Sequence, residues 1–326
     1  MKFLTLFLFL VSLSFGDSIL KIATYNVENL FDLEKGGYRY EEYKVKGKSL
    51  WNTKNYKIKL NNIAKVIKDI DADIIALQEL HSLSTLKDLR FTLKQKGLYY
   101  QYFSIANKKN TAINVAFLSK IPFVYAKDLQ VTSTYKYRNI LEAKFKFNNQ
   151  EFYIFNNHWK AKSGPESMRI VSAKVLKKRI SQIGVDKNII LLGDFNSDYE
   201  EYIKFKHKRK HNDTHGKTGI NHILKSINPG KDGFYNLWYD AKKEERYSYI
   251  FRGEKEALDN ILVSHSLLNT QNMSYISGSI KNFHKDYLFK KKNIYRWQMS
   301  YGRIKKHKGK GYSDHLPVLA KFLFKS

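Results

Sequence analysis

Apolar residues in this chain fall into short runs that stop abruptly at polar ones. Ile19 to Val27 reads as a first strand, closing on Asn26, Glu28 and Asn29. Residues 33–53 are polar, tyrosine-rich and without period, which predicts a long loop. From Lys54 to Ile70, Ile63, Val66, Ile67 and Ile70 recur at helical spacing. Asp71-Ala72-Asp73 then turns the chain into a second strand, Ile74 to Leu77, ending in Gln78-Glu79. Leu83, Leu86, Leu89 and Leu93 predict another helix. Strands follow at Tyr99–Ile105, Ala112–Leu118, Ile140–Phe147 and Phe152–Asn156, the last leading into Asn157-His158-Trp159-Lys160. Pro165 suits the opening position of a helix running to about Ser181. Ile189 to Leu192 is a continuous apolar run, as in a strand buried on both faces, and Gly193 ends it with a sharp turn. Beyond it, Lys204–Lys210 is densely basic, and the chain to Gly219 is irregular. Tyr247–Phe251 and Leu258–Ser264 are strand-like, Lys281–Gly311 is basic and aromatic, and Val318–Phe324 closes the chain as a strand. Strands interspersed with a few helices, several adjacent in sequence, predict an α/β or α+β sandwich of mixed sheets.

With 326 residues and neither a linker nor an internal repeat, the expectation is a single catalytic domain over residues 17–326, with a basic aromatic insertion at about 281–311. Lys2, the apolar run Phe3–Leu13 and Ser14-Phe15-Gly16 read as a signal peptide cleaved after about Gly16, which implies a secreted or periplasmic protein. That run is shorter than the ~20 apolar residues of a membrane span, and no later stretch reads as a transmembrane segment. There is no cysteine, so no disulfide can staple the fold; 43% hydrophobic content must supply the core. The charge is lopsided: 58 Lys+Arg against 30 Asp+Glu, a net +28. An excess of this size attracts polyanions, whether nucleic acid, anionic lipid headgroups or lipopolysaccharide.

The candidate chemistry sits where the apolar runs stop. Asp194 and Asn196 lie two apart, so in an extended segment both side chains would leave one face and could hold a single water between them. Polar residues likewise follow strands at Asn26, Glu79, His158, Asp259 and Asp314-His315. Singly, each has a bland reading as a turn residue, a solvated charge or a satisfied half-buried histidine. Recurrence at strand after strand favours a common cleft instead. Its carboxylates, amides and imidazoles, with no thiolate, suit metal-assisted phosphodiester hydrolysis with a hard divalent ion, Mg²⁺ first and Mn²⁺ or Ca²⁺ as alternatives.

At these residues the sequence resembles the endonuclease/exonuclease/phosphatase superfamily, which includes DNase I. The matching pieces are Ala23-Thr24-Tyr25-Asn26-Val27, Leu77-Gln78-Glu79, Asn157-His158-Trp159, Gly193-Asp194-Phe195-Asn196, Leu258-Asp259-Asn260-Ile261 and Ser313-Asp314-His315-Leu316-Pro317, in the family's order. The resemblance implies a DNase I-like four-layer sandwich, two mixed sheets face to face with helices outside. It implies that Asn26, Glu79 and Asp314 hold the metal and that Asp194 and Asn196 orient the attacking water. His315, paired with Asp259, would act as base or as a cation on the phosphate, with His158 near the leaving oxygen. Arg138 resembles a family arginine beside the scissile phosphate. Asn114 stands where the family often has a small residue, and no carboxylate partner for His158 is identifiable. AP endonucleases normally lack a histidine at the position of His158; the segment looks more like DNase I-type and secreted bacterial nucleases. The expected activity is therefore that of a secreted nonspecific nuclease, on DNA rather than RNA. The alternatives are a phospholipid, sphingomyelin or phosphoinositide phosphodiesterase, or a polyanion-binding protein on the same fold. Lys305, Lys306 and Lys308, on the stretch leading into Asp314-His315, are expected to bind phosphates. No protein partner is inferred.

Overall fold

Three apolar clusters separate the layers of the molecule, and strand alternation explains why. In the computed structural model, which describes residues 16–34, 40–109, 111–205, 211–268 and 272–325, one sheet takes the order β13-β17-β1-β2-β4-β3, with β14 also pairing β17, and the other β5-β6-β7-β8-β12-β9. The strands of the first are β1 (Ser18–Leu30), β2 (Ile74–Leu80), β3 (Tyr102–Ile105), β4 (Asn114–Ser119), β13 (Met273–Tyr275), β14 (Lys281–Asn282) and β17 (Val318–Phe324). Those of the second are β5 (Phe123–Leu129), β6 (Ile140–Phe147), β7 (Gln150–His158), β8 (Ile189–Asp194), β9 (Phe234–Asn236) and β12 (Asp259–Ser264). Two small hairpins complete the set: β10 (Tyr249–Phe251) with β11 (Glu254–Glu256), and β15 (Phe289–Lys290) with β16 (Asn293–Ile294). The helices are α1 (Thr53–Ile70), α2 (Leu83–Gln95), α3 (Glu166–Ile183) and the short α4 (Glu201–Lys204).

Successive residues of a strand face opposite ways. Ile190 and Leu192 therefore join Ile22, Ile74, Phe117 and Phe322 between the sheets, while Ile189 and Leu191 meet Ala173, Leu176 and Ile180 of α3. Ala23, Tyr25, Ile75 and Leu77 turn the other way, onto Ile63, Ile67 and Leu86 of α1 and α2. The result is helix, sheet, sheet, helix, the expected sandwich. One set of contacts between the sheets is polar. Gln78 donates to Asn156 Oδ1 at 2.7 Å and to Thr24 Oγ1 at 3.0 Å, while Asn156 donates to the carbonyls of Leu77 (3.1 Å) and Ala116 (2.8 Å).

Several elements depart from the sequence pattern. β5, which the sequence pattern does not single out, is an edge strand without a fully buried residue, its Phe123 and Ala126 only partly buried against the middle layer. Pro165 caps α3 with extended ψ of 163° instead of forming its first turn. Gly193 does not end β8: it pairs with Asn157 and Asn260 inside the sheet. A Cβ there would meet the Asn157 carbonyl at 2.1 Å, so close strand approach is what demands glycine. The 281–311 stretch is rooted in the core through Phe283, Leu288, Ile294 and Trp297. Residues 1–15 of the expected signal peptide and residues 206–210 of the basic run Lys204–Lys210 lie outside the described residues.

Candidate active site

Strand register assembles the site. Parallel pairing sets His158 beside Asp194, and antiparallel pairing sets Asp194 beside Asp259, so three chemistry-bearing residues form a row across the end of the second sheet. On the first sheet Asn26 pairs with Gln78, after which both strands lose register. Glu28, Asn29 and Glu79 there have φ of 51°, 57° and 68°. Left-handed backbone at a bulge re-aims a side chain; it puts Glu79 on the cleft wall rather than in the sheet's alternation. Glu79 Oε2 accepts from the Asn29 N–H at 2.8 Å. Asn26 Nδ2 joins the two sheets, donating to Glu79 Oε1 at 3.2 Å and to Asp194 Oδ2 at 3.1 Å.

Asp194 and Asn196 come together, but not along an extended segment. Asn196 has φ of 47°, its N–H donates to Asp194 Oδ1 at 2.8 Å, and its Nδ2 donates to Asp194 Oδ2 at 3.1 Å. The turn itself aims the pair. His315 is seated by Ser313, whose hydroxyl donates to the Asn26 carbonyl at 2.7 Å and accepts from the His315 N–H at 3.2 Å. His315 Nδ1 lies 2.6 Å from Asp259 Oδ2, both groups buried. His158 Nε2 stands 3.5 Å from Asp194 Oδ2 and 3.6 Å from Glu79 Oε1, and its buried Nδ1 has no partner, so no separate carboxylate orients it. Arg138 lines the cleft and donates to the Trp159 carbonyl at 3.0 Å. Asp314 lines it too, held 3.2 Å from Arg296. Asn114 donates to the His81 carbonyl at 3.0 Å, bracing the chain just past Glu79.

The cavity measures about 600 Å³ and takes in Glu79, Arg138, His158, Asp194, Asn196, Asp314 and His315. Lys305 lines a separate depression of about 380 Å³ with Glu41, Glu42 and Arg303, and Lys306 and Lys308 line neither. Asn29, Tyr40, Lys162 and Tyr249 line the cleft although the sequence pattern does not single them out. Their only signal is local: Asn29 closes the first strand and Lys162 follows the histidine segment.

Burial sets the charges. It pushes the Asp194 carboxyl up to about 7, opposed by the charge on His315 and reinforced by Asp259. Burial alone would lower His315, but Asp259, Asp194 and Asp314 together hold it well above the usual imidazole value. His158 is held well below that value by burial first, then by Arg138 and His315. One imidazole is thus cationic near neutrality and the other neutral.

The donors fit a hard divalent ion. Glu79 and Asp314 face the cleft with Asn29, whose buried side-chain oxygen has no hydrogen-bond partner, and the chain offers no thiolate. Asn26, expected as a ligand, has its oxygen engaged by the Glu28 N–H at 3.0 Å and braces two carboxylates through its nitrogen. Asp194, Asp259 and His315 also bring ligand-type atoms within 4.8 Å of one another, though one 2.6 Å contact already joins Asp259 to His315.

A face-to-face sandwich with carboxylates and imidazoles gathered at its strand ends defines the class, a phosphoester-hydrolase scaffold. The chain belongs to the Endonuclease/Exonuclease/phosphatase family, whose model matches residues 21–323. No curated protein matches it by sequence. Among solved structures, it is similar to a family member from Bacteroides thetaiotaomicron at 16% identity and TM-score 0.60, covering 96% of this chain and all (100%) of that one. It is similar to the mannosyl-6-phosphatase of the same organism at 17% identity and TM-score 0.60, with 94% and 100% covered. It is also similar to D. rerio TDP2, solved with a single-strand DNA product, at 15% identity and TM-score 0.57, with 94% and 99% covered. At these identities the likeness is one of fold.

Proposed function

We propose that this protein is a secreted, divalent-metal-dependent phosphodiesterase acting as a nonspecific nuclease, with DNA preferred over RNA and residues 17–326 as its single catalytic domain. The observation that carries the reading is Asn26, which ties Glu79 of one sheet to Asp194 of the other and so unites two half-sites in one cleft. The net charge of +28 favours a polyanionic substrate, and the TDP2 comparison was solved with a DNA product.

Glu79 and Asp314 would hold the ion, Mg²⁺ first and Mn²⁺ or Ca²⁺ as alternatives, with the Asn29 oxygen within the same wall. When bound, such an ion offsets negative charge on the phosphate. Asp194, with a pKa lifted to about 7 and Asn196 locked beside it, holds and deprotonates the attacking water. Cationic His315 donates from Nε2 to a phosphoryl oxygen while Asp259 fixes its ring; neutral His158 offers a hydrogen bond to the leaving oxygen, which takes its proton from solvent as the P–O bond breaks. Arg138 serves a phosphate in the cleft, and the lysines at 305, 306 and 308 serve phosphates outside it.

A second reading, hydrolysis of a phospholipid or sphingomyelin diester, is favoured by Phe251, a cleft-lining aromatic that is 54% exposed. One panel separates the two: purified protein with plasmid DNA, RNA and sphingomyelin, each with Mg²⁺ and with EDTA. DNA cleavage abolished by EDTA is expected, with Glu79→Gln and Asp194→Asn each losing about 10²-fold or more in kcat. Turnover of sphingomyelin alone would select the lipid reading, and EDTA-resistant cleavage would reject the metal.

A further inference from the structure

Arg296 belongs to the basic stretch expected to face a polyanion, yet its guanidinium pairs with two carboxylates, one of them the cleft-lining Asp314. Its Nε donates to Glu28 Oε1 at 2.9 Å, and its Nη2 contacts both that oxygen and, at 3.2 Å, Asp314 Oδ2. The other Glu28 oxygen accepts from the Trp297 N–H at 3.0 Å, so backbone and side chain grip the same carboxylate. The arginine side chain is 53% exposed, so its hold comes from these partners and from the backbone around it. The turn bearing Asp314 is seated on its backbone: a Cβ on Gly311 would lie 2.0 Å from the Arg296 carbonyl, and the Tyr312 N–H donates to the adjacent Tyr295 carbonyl at 2.8 Å. Fully buried Lys59 donates to the Glu28 carbonyl beneath.

One nitrogen of Arg296 contacts an oxygen of each carboxylate, so a positive charge already stands where a cation bridging Glu28 and Asp314 would. A hard divalent ion needs such oxygens at about 2.0–2.6 Å, and the guanidinium already occupies the place between them. Arginine does not deprotonate in proteins, so the charge it places there persists at alkaline pH, where both carboxylates are ionised. We propose that Arg296 is a built-in cation between Glu28 and Asp314, which limits the cleft to one divalent ion, on the Glu79 side. It is a positioning residue: it reaches the chemistry only by fixing Asp314. The inference rests on the metal-dependent reading above.

Counting bound ions tests it without reference to turnover. Mn²⁺ is titrated into the full-length protein by calorimetry at pH 8, above the value of about 7 to which burial and Asp314 push Glu28. The wild type is expected to bind one equivalent. Arg296→Met, checked for fold by circular dichroism, is expected to bind two, and Arg296→Met with Glu28→Gln to return to one. Two equivalents in the wild type would overturn the inference and leave metal-dependent hydrolysis standing. So would one equivalent in folded Arg296→Met. No binding to the wild type would overturn this inference and the metal reading together. The wild-type count stands even if the arginine variant fails to fold.

Discussion

Replacing Asp259 with Asn removes one charge and leaves the shape of the site intact. Asp259 has no exposure and sits 2.6 Å from His315 Nδ1. Burial works to lower the imidazole pKa, and the carboxylate is the strongest influence raising it. A hydrogen bond to a charged group contributes about 1.5–3 kcal/mol. Losing that interaction should lower the His315 pKa. The ring would then shed its charge at a lower pH than in the wild type, and where it is neutral, loss of a charge aimed at the phosphoryl group should lower kcat about 10²- to 10³-fold. Asp194, at about 7, takes up its proton over the same range in both proteins, so the expected signature is a ratio: activity of the variant relative to wild type should rise as the pH falls from 8 to 6, because protonation restores the charge on His315. Stability follows the same sign. A raised folded pKa stabilises fully below the unfolded value of about 6.5 and loses that contribution as pH rises through the folded one. The difference between wild type and variant should therefore be larger at pH 6 than at strongly alkaline pH. The assay is a pH–rate profile of DNA cleavage joined to NMR titration of the His315 ring. An unchanged ring titration in Asp259→Asn would refute the pairing as the source of its charge.

Gly193→Ala should cost about 2–6 kcal/mol, from overpacking together with a strained φ, since its Cβ would meet the Asn157 carbonyl at 2.1 Å with φ at +125°; an unchanged urea midpoint would contradict the close approach. Replacing Lys305, Lys306, Lys308 and Lys310 with Gln should weaken DNA binding and flatten its dependence on log salt by about 0.9 for each phosphate no longer neutralised, with cleavage of bound substrate little changed. An unaltered slope would assign the depression around Lys305 to something other than DNA.

What the sequence made legible follows from the kind of force involved. The inner strands β1, β2, β8 and β17 lie between two apolar layers, and their continuous apolar runs announce them. Their polar terminators point to one cleft because strand order and register bring the ends of β7, β8 and β12 into a row. Edge strand β5 buries Phe123 and Ala126 only in part, too little to impose a clear alternation on the segment. Backbone hand was equally silent: nothing in the letters tells that Glu79 and Asn196 take positive φ, yet those angles set where their side chains point. Arg296 reads as one more cation in a basic stretch, and only its partners Glu28 and Asp314, 268 and 18 positions away by number, separate it from its neighbours.

The amides between the sheets bear on how the enzyme yields under stress. Glu79 rides on one sheet and His158 and Asp194 on the other, so any shear between the sheets changes the gap across which the reaction must occur. Oily contacts tolerate sliding, because they have no preferred direction. The Gln78–Asn156 pair does not: slipped out of place, it would strand buried donors at about 1–3 kcal/mol each, and it lies one residue from Glu79 and two from His158. It acts as a detent that indexes one half of the cleft against the other. Softening the apolar middle layer should lower the melting temperature well before it spoils catalytic alignment, whereas a shape-matched change in the detent would leave a folded protein with its two halves out of step.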